Sequence, residues 1–213
     1  MKTLRILSFS VLAAALFTAC SSDAVESTDA KDVANAAAES IVYKVDVKAS
    51  TLGWYGSKLA YGHQGVIDII SGELTMKGDT LTSGNFTVDM KTVKATDEGG
   101  DPEKMAKLAG HLMAADFFDA EKYPTSKFEI TGATKSQDGT YNVSGNMTIK
   151  DVTKNISFPA TIKVEGDKLT ATAEFTINRN DWGVTYGSGV SGAIGDAVIS
   201  DDIKYNVSLV ASK

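Results

Sequence analysis

In the second half of the chain, apolar and polar residues alternate almost strictly. Tyr141, Val143, Gly145, Met147 and Ile149 fall on one side of such a run, with Asn142, Ser144, Asn146 and Thr148 on the other. The pattern returns at Ile156, Phe158, Ala160, Ile162 and Val164, at Leu169, Ala171, Ala173, Phe175 and Ile177, and at Ile203, Tyr205, Val207, Leu209 and Ala211. Phe86-Val88-Met90 and Phe128-Ile130 are earlier, shorter cases. A period of two marks strands with one buried and one solvated face. Lys77-Gly78-Asp79, Gln137-Asp138-Gly139 and Gly166-Asp167 are turn signals between runs. About eight strands joined mainly by hairpins predict an all-β fold, an antiparallel barrel or sandwich. A single helix interrupts them. Asp101 suits its N-cap, Pro102 its first position and Glu103 its first turn, and Met105, Leu108 and Leu112 form its apolar stripe.

The N-terminus is patterned differently. Met1 to Arg5 is short and basic, Ile6 to Phe17 is apolar apart from Ser8 and Ser10, and Thr18-Ala19 precede Cys20. That order is a secretory signal, too short for a transmembrane helix. A cysteine directly after the small residues resembles the bacterial lipoprotein signal. It implies cleavage after residue 19 and acylation of Cys20, which is also the only cysteine in the chain. Ser21 to Ser40 is Ala, Ser, Asp and Glu with almost nothing large and apolar, so residues 20–40 are expected to form an acylated, flexible, acidic tether to a folded domain at 41–213. The expected location is the bacterial cell envelope. No Asp directly follows Cys20, which favours the outer membrane by analogy, with the domain facing periplasm or surface.

Charge narrows the partners. The chain carries 21 basic and 27 acidic residues. Loss of Lys2 and Arg5 with the signal leaves 19 basic residues against 27 acidic, a net charge of −8. An acidic domain argues against nucleic acid and against a polybasic grip on anionic lipid. The sequence is compatible with a homodimer.

Catalytic and metal chemistry is sparse. Two histidines, His63 and His111, stand far apart, so neither a metal nor another cofactor is expected. Gly187-Ser-Gly189-Val-Ser-Gly192 matches a dinucleotide fingerprint literally but lacks the strand-before and helix-after context; it reads as a flexible loop between strands at a barrel mouth. Asp116 and Asp119 flank Phe117-Phe118 at the helix exit, where caps and turns are the ordinary use. Together with His111 they define a hydrolase alternative. A structural or interaction module of the envelope with a packed interior is the other.

Polar residues in phase with the apolar face are more informative. Arg179 follows Phe175 and Ile177 by twos, His63 shares parity with Ile67 and Ile69, and Lys58 with Leu52 and Trp54. Intact pleats place these three inward near strand ends, as a clamp for a ligand head group or, for Arg179, as an internal ion pair with Asp201. Small residues on the same face, Gly145, Ala160, Ala171 and Ala173, are expected to leave space.

The ordered blocks Trp54-x-Gly56-x-Lys58, His63-x-Gly65, His111-Leu112-x3-Asp116-Phe117-Phe118-Asp119-x3-Tyr123-Pro124-x3-Phe128, Val143-x-Gly145-x-Met147-Thr148-Ile149, and Phe175-x-Ile177-x-Arg179-x-Asp181-Trp182-Gly183-Val184 resemble the bacterial YceI-like family. Met147 and Trp182 stand where Leu and Phe are commoner in it. The resemblance runs from about Tyr43 to the C-terminus. It implies an extended, lipocalin-like antiparallel barrel with a helix beside it, and non-catalytic binding of a long apolar molecule, such as a polyisoprenoid or isoprenoid quinone, inside it. Trp54, Lys58, His63, Phe117, Phe175 and Arg179 are the candidate ligand-facing residues. Strands of about ten residues span roughly 34 Å, long enough for an extended tail.

Overall fold

The computed structural model describes residues 23–213; the signal segment and Cys20 lie outside the described residues. Twelve strands follow in chain order: β1 (Thr28–Asp29), β2 (Ile41–Val45), β3 (Thr51–Lys58), β4 (Gly62–Ile67), β5 (Ile69–Lys77), β6 (Thr80–Asp89), β7 (Lys94–Ala95), β8 (Thr125–Lys135), β9 (Tyr141–Ile149), β10 (Val152–Glu165), β11 (Lys168–Asn178) and β12 (Ile199–Ser212). Helix α1 (Pro102–Met113) lies between β7 and β8. All pairings are antiparallel, and β10–β9–β8–β6–β5–β2–β12–β11 returns to β10, closing an eight-stranded barrel. Strands β3, β4 and β7 extend from β12 beyond the short β2, and β1 adds to β10. Closure removes the exposed edges that an open sheet of this size would carry.

The alternating runs become the inner face. Ile156, Leu169, Ile177, Leu209 and Ala211 are almost fully buried. Across the middle of the barrel, rings from β6, β8, β10, β11 and β12 touch in turn: Phe86 on Phe128, Phe128 on Phe158, Phe158 on Phe175, and Phe175 on Tyr205, with centroids 5.3, 5.4, 4.2 and 5.6 Å apart. These rings fill much of the middle of the barrel, while Ala160, Ala171 and Ala173 border a void of about 40 Å³ beside them. A Cβ on Gly145 would stand 2.2 Å from Phe128 Cζ, so this glycine makes room for a ring rather than for a ligand. The hairpin turns fall at the expected positions, with Gly78, Gly139 and Gly166 at positive φ. The helix starts as expected, with the Asp101 carboxylate accepting from the backbone N–H groups of Glu103 and Lys104.

The segment expected to be a free tether differs. Ladder β10–β11 runs only from Ala160↔Ala173 to Glu165↔Lys168, so the two strands splay toward the helix end of the barrel. The N-terminal segment fills this split. Val25 N–H donates to Thr176 O of β11 at 2.7 Å, and Thr28 and Asp29 pair with Asn155 and Lys154 of β10. Ser27 Oγ donates to Asp181 Oδ2 at 2.6 Å. Farther along, Lys31 exchanges hydrogen bonds with the Asn146 side chain, and Ala34 N–H reaches Ile130 O. The segment lacks apolar mass, but an unfinished sheet supplies the partners its backbone needs. Outward-facing Asn146 and Asn155 are buried beneath it. No helix among the described residues is long and apolar enough to cross a membrane.

Candidate functional site

At the helix end, the inner face opens into a cavity of about 360 Å³. The β3–β4 hairpin contributes Trp54, Lys58, Tyr61 and His63, and α1 contributes Leu108, His111 and Leu112. Phe117 and Phe118 close one wall, and Arg179, Tyr186, Ile203 and Tyr205 the other. Five of the six candidate ligand-facing residues meet here: Trp54, Lys58, His63, Phe117 and Arg179. Phe175 does not. It lies deeper, stacked on Phe158 and lining a separate void of about 30 Å³. The cavity and that void share three walls, Ile67, Phe118 and Tyr205. A third void, about 40 Å³, lies farther down behind Phe86, Phe128 and Val207. A larger hollow, about 520 Å³, is a groove on the flank near the β10–β11 split, lined by Pro159, Ala160, Ala173 and Val207 together with Thr161 and Asn206, and it lies wide open to solvent.

Beside the hydroxyls of Ser57, Tyr61, Tyr186, Ser200 and Tyr205, the cavity's remaining polar side chains share one character. Lys58, His63, His111 and Arg179 contribute to its wall, and no carboxylate does. The Trp54 indole N–H is buried without a hydrogen-bond partner among the described residues. An orphaned buried donor is costly unless an acceptor occupies the space beside it. His63 is oriented from behind: its Nδ1 lies 2.5 Å from Asp97 Oδ2, while Asp97 Oδ1 accepts from Gln64 N–H at 2.7 Å. Burial works to raise the Asp97 pKa, but the hydrogen bonds from His63 and Gln64 and the histidine's charge outweigh it and hold the carboxyl below its ordinary range. Burial lifts the Tyr205 phenol well above its ordinary value, so it stays protonated.

Arg179 is buried on the cavity wall but already partnered. It begins a short 3-10 turn (Arg179–Trp182) whose end at Gly183 is left-handed, φ 69°. Nε donates to Ser200 O at 2.9 Å, Nη1 to Val184 O at 2.6 Å and Nη2 to Ile199 O at 3.1 Å, with Asp201 Oδ1 3.4 Å from Nη2. Burial draws its pKa down and Asp201 offsets part of that. The guanidinium thus stitches the β11 exit to the start of β12, and backbone carbonyls, which parity arguments do not reveal, are its main partners. The residues of the hydrolase alternative do not converge as a set. His111 Nε2 is 3.4 Å from Asp116 Oδ2, whereas Asp119, at φ 50°, forms the turn after the helix, its carbonyl accepting from Lys122 and Tyr123 N–H. The Gly187–Gly192 stretch is a loop, with Gly187 and Gly192 at positive φ. Sequence reasoning missed Asp97, Tyr61 and Tyr186, which sit outside any period; Tyr205 was visible only as one more apolar-face residue.

A closed eight-stranded antiparallel barrel with a ligand-sized cavity at one end defines a lipocalin-like class of binding fold. Within it, residues 43–211 match the YceI-like domain, and the chain belongs to that family. A UPF0312 protein of Pseudomonas putida is 29% identical over 151 residues, covering 67% of this chain and 76% of its own length. Another UPF0312 protein, from Pseudomonas fluorescens, is 28% identical over 167 residues, covering 74% and 83%. Among solved structures, Burkholderia cenocepacia BcnA superposes with a TM-score of 0.66 at 22% identity, over 79% of this chain and 99% of its own. A polyisoprenoid binding domain from Saccharophagus degradans superposes with a TM-score of 0.58 at 13% identity, over 80% and 97%.

Proposed function

We propose that the protein is a membrane-anchored, exported carrier of an isoprenoid-type lipid, which it binds without catalysis. The carrying observation is the cavity at the barrel mouth, largely apolar in floor and walls, with Lys58, His63, His111 and Arg179 on its wall and no carboxylate. Apolar walls with a few directed polar groups are the usual form of a small-molecule site. Cationic and imidazole donors without an opposing carboxylate favour a ligand whose polar end accepts hydrogen bonds, as a quinone carbonyl or a prenyl phosphate does. The Asp97-held His63 and Lys58, both on the cavity wall, are the groups available to that end. The Saccharophagus neighbour, described as a polyisoprenoid binding domain, supports the ligand class. Mass spectrometry of an organic extract of the protein purified from its native envelope tests this. An isoprenoid ion in stoichiometric amount is expected. A ligand-free protein that also takes up no prenyl compound on incubation refutes it and returns the structural-module reading.

A further inference from the structure

We infer that the barrel mouth is the face the protein lays on the bilayer, held there by the docked N-terminal segment. This rests on the proposed acylation of Cys20. Two independent features converge on the mouth. The first is a ring of exposed apolar side chains. At the tip of the β3–β4 hairpin, Leu59 is 86% and Tyr61 55% exposed; in the loop between β11 and β12, Val190 is 74%, Ile194 82% and Tyr186 42% exposed. Tyr61 and Tyr186 also line the cavity, so these two loops form its rim. Large apolar groups clustered at loop tips, with tyrosines among them, fit the membrane–water interface.

The second feature is where the chain leaves the barrel. Val25 is pinned to Thr176 and Ser27 to Asp181, both at the mouth end of β11. From Val25 back to Cys20 is five residues, a reach of at most about 18 Å. A leash free to Ile41 would reach roughly 75 Å. The docked strand therefore converts a long tether into a short pin at the end where the apolar rim stands. Asp23, Asp196, Asp201 and Asp202 lie near this end. Arg179 is taken up by backbone carbonyls and Asp201, so the other carboxylates outnumber Lys58 at the mouth, anionic lipid is a poor match, and the surface that fits is zwitterionic, such as phosphatidylethanolamine. A mouth pressed on that surface lets a lipid pass between bilayer and barrel without crossing water.

The test uses the full-length acylated protein in phosphatidylethanolamine–phosphatidylcholine vesicles carrying brominated chains. Leu59→Cys, Val190→Cys and, at the opposite end, Gln137→Cys each receive an environment-sensitive fluorophore; acylated Cys20 offers no competing thiol. Strong bromine quenching at positions 59 and 190, at least threefold above position 137, is expected. A second variant inserts a twenty-residue Gly-Ser segment after Ser22, leaving the docked strand untouched. Rim quenching should fall while the protein still floats with the vesicles. Equal quenching at both ends overturns the inference, as does protection of the rim labels in a lipid-free dimer. An unchanged rim signal with the longer leash overturns the role of the pin. Wild-type protein that does not float at all instead refutes the acylation on which the inference rests.

Discussion

Tyr205 sets how much of a prenyl chain the barrel can bury. With Ile67 and Phe118 it forms the floor between the mouth cavity and the small void below, and the Phe86–Phe128–Phe158–Phe175 stack stands behind that floor. A dry cavity of about 150 Å³ holds a benzene molecule. By proportion, the 360 Å³ of the mouth cavity holds about fourteen non-hydrogen atoms, close to three isoprene units. A longer tail finds no continuous passage, because the voids beneath measure only about 30 and 40 Å³.

Affinity for prenyl alcohols should therefore rise steeply from geraniol to farnesol and then level off at geranylgeraniol. Tyr205→Ala removes seven side-chain atoms and joins the first void to the cavity, making room for at least one further unit. Five more buried carbons are worth about 4 kcal/mol gross at about 0.8 kcal/mol each, and ordering costs reduce what is observed. A gain of at least tenfold for geranylgeraniol over wild type is expected. Tryptophan fluorescence reports it, since Trp54 lines the cavity. The substitution should cost about 3–5 kcal/mol of stability, in the range of other large-to-small core changes, so Phe118→Leu provides a milder opening. Wild-type affinity that keeps climbing tenfold per unit beyond farnesol refutes the floor. So does a Tyr205→Ala protein that is folded and has the wild-type plateau.

Further expectations concern the ends of the barrel. Arg179→Lys should lower apo stability by about 3–5 kcal/mol in urea unfolding, because it strands carbonyls and Asp201 that the buried fork now satisfies; lost binding with unchanged melting would instead make Arg179 a ligand clamp. Burial, together with Asp201 and Asp23, raises the Asp202 pKa above its ordinary 3.8. Its contribution favours the folded state at low pH and is lost as pH rises through the raised value. Asp202→Asn should therefore raise the melting temperature at pH 7, with the advantage vanishing toward pH 3; a lower melting temperature at pH 7 contradicts this. Cys20→Ala should move the protein from the membrane fraction to the soluble fraction, and wild-type fractionation of that variant removes the anchor.

Strand runs were legible because a half-buried strand writes its two faces into the sequence, and the helix because Asp101-Pro102-Glu103 spells its start. Four of the six candidate residues, Trp54, Lys58, His63 and Arg179, were legible for the same reason, since parity carries a side chain inward until the strand ends; Phe117, in the turn after the helix, was legible only through the family block. Parity failed where the question was partnership. It placed Arg179 inside but could not show that Ser200, Val184 and Ile199 would offer their carbonyls, since any residue has one. It also judged Gly145 and the alanines by their own size, whereas free space depends on what reaches in from other strands, here Phe128 and Phe158. The docked segment was missed on composition. Ala, Ser and Asp cannot build a core, but they can complete one, and the sign was indirect: Asn146 and Asn155, polar and on the outer face, are buried only because something covers them.

The energetics of a lipid tail make position more decisive than affinity. Each methylene gains about 0.8 kcal/mol on leaving water, yet it gains nearly the same in a bilayer, so exchange between membrane and barrel is close to balanced for the tail. A cavity of this size cannot pull a long chain from the membrane by apolar burial alone. What remains is the polar end, where His63 and Lys58 find acceptors, and the path, which must avoid water because every exposed methylene adds to the barrier. A mouth pinned within about 18 Å of the anchoring residue shortens that path. On this reasoning, lengthening the leash should slow lipid uptake from vesicles while leaving the affinity for a water-soluble short prenyl alcohol unchanged. A matched loss in both would mean that the docked segment supports the cavity itself rather than its approach to the membrane.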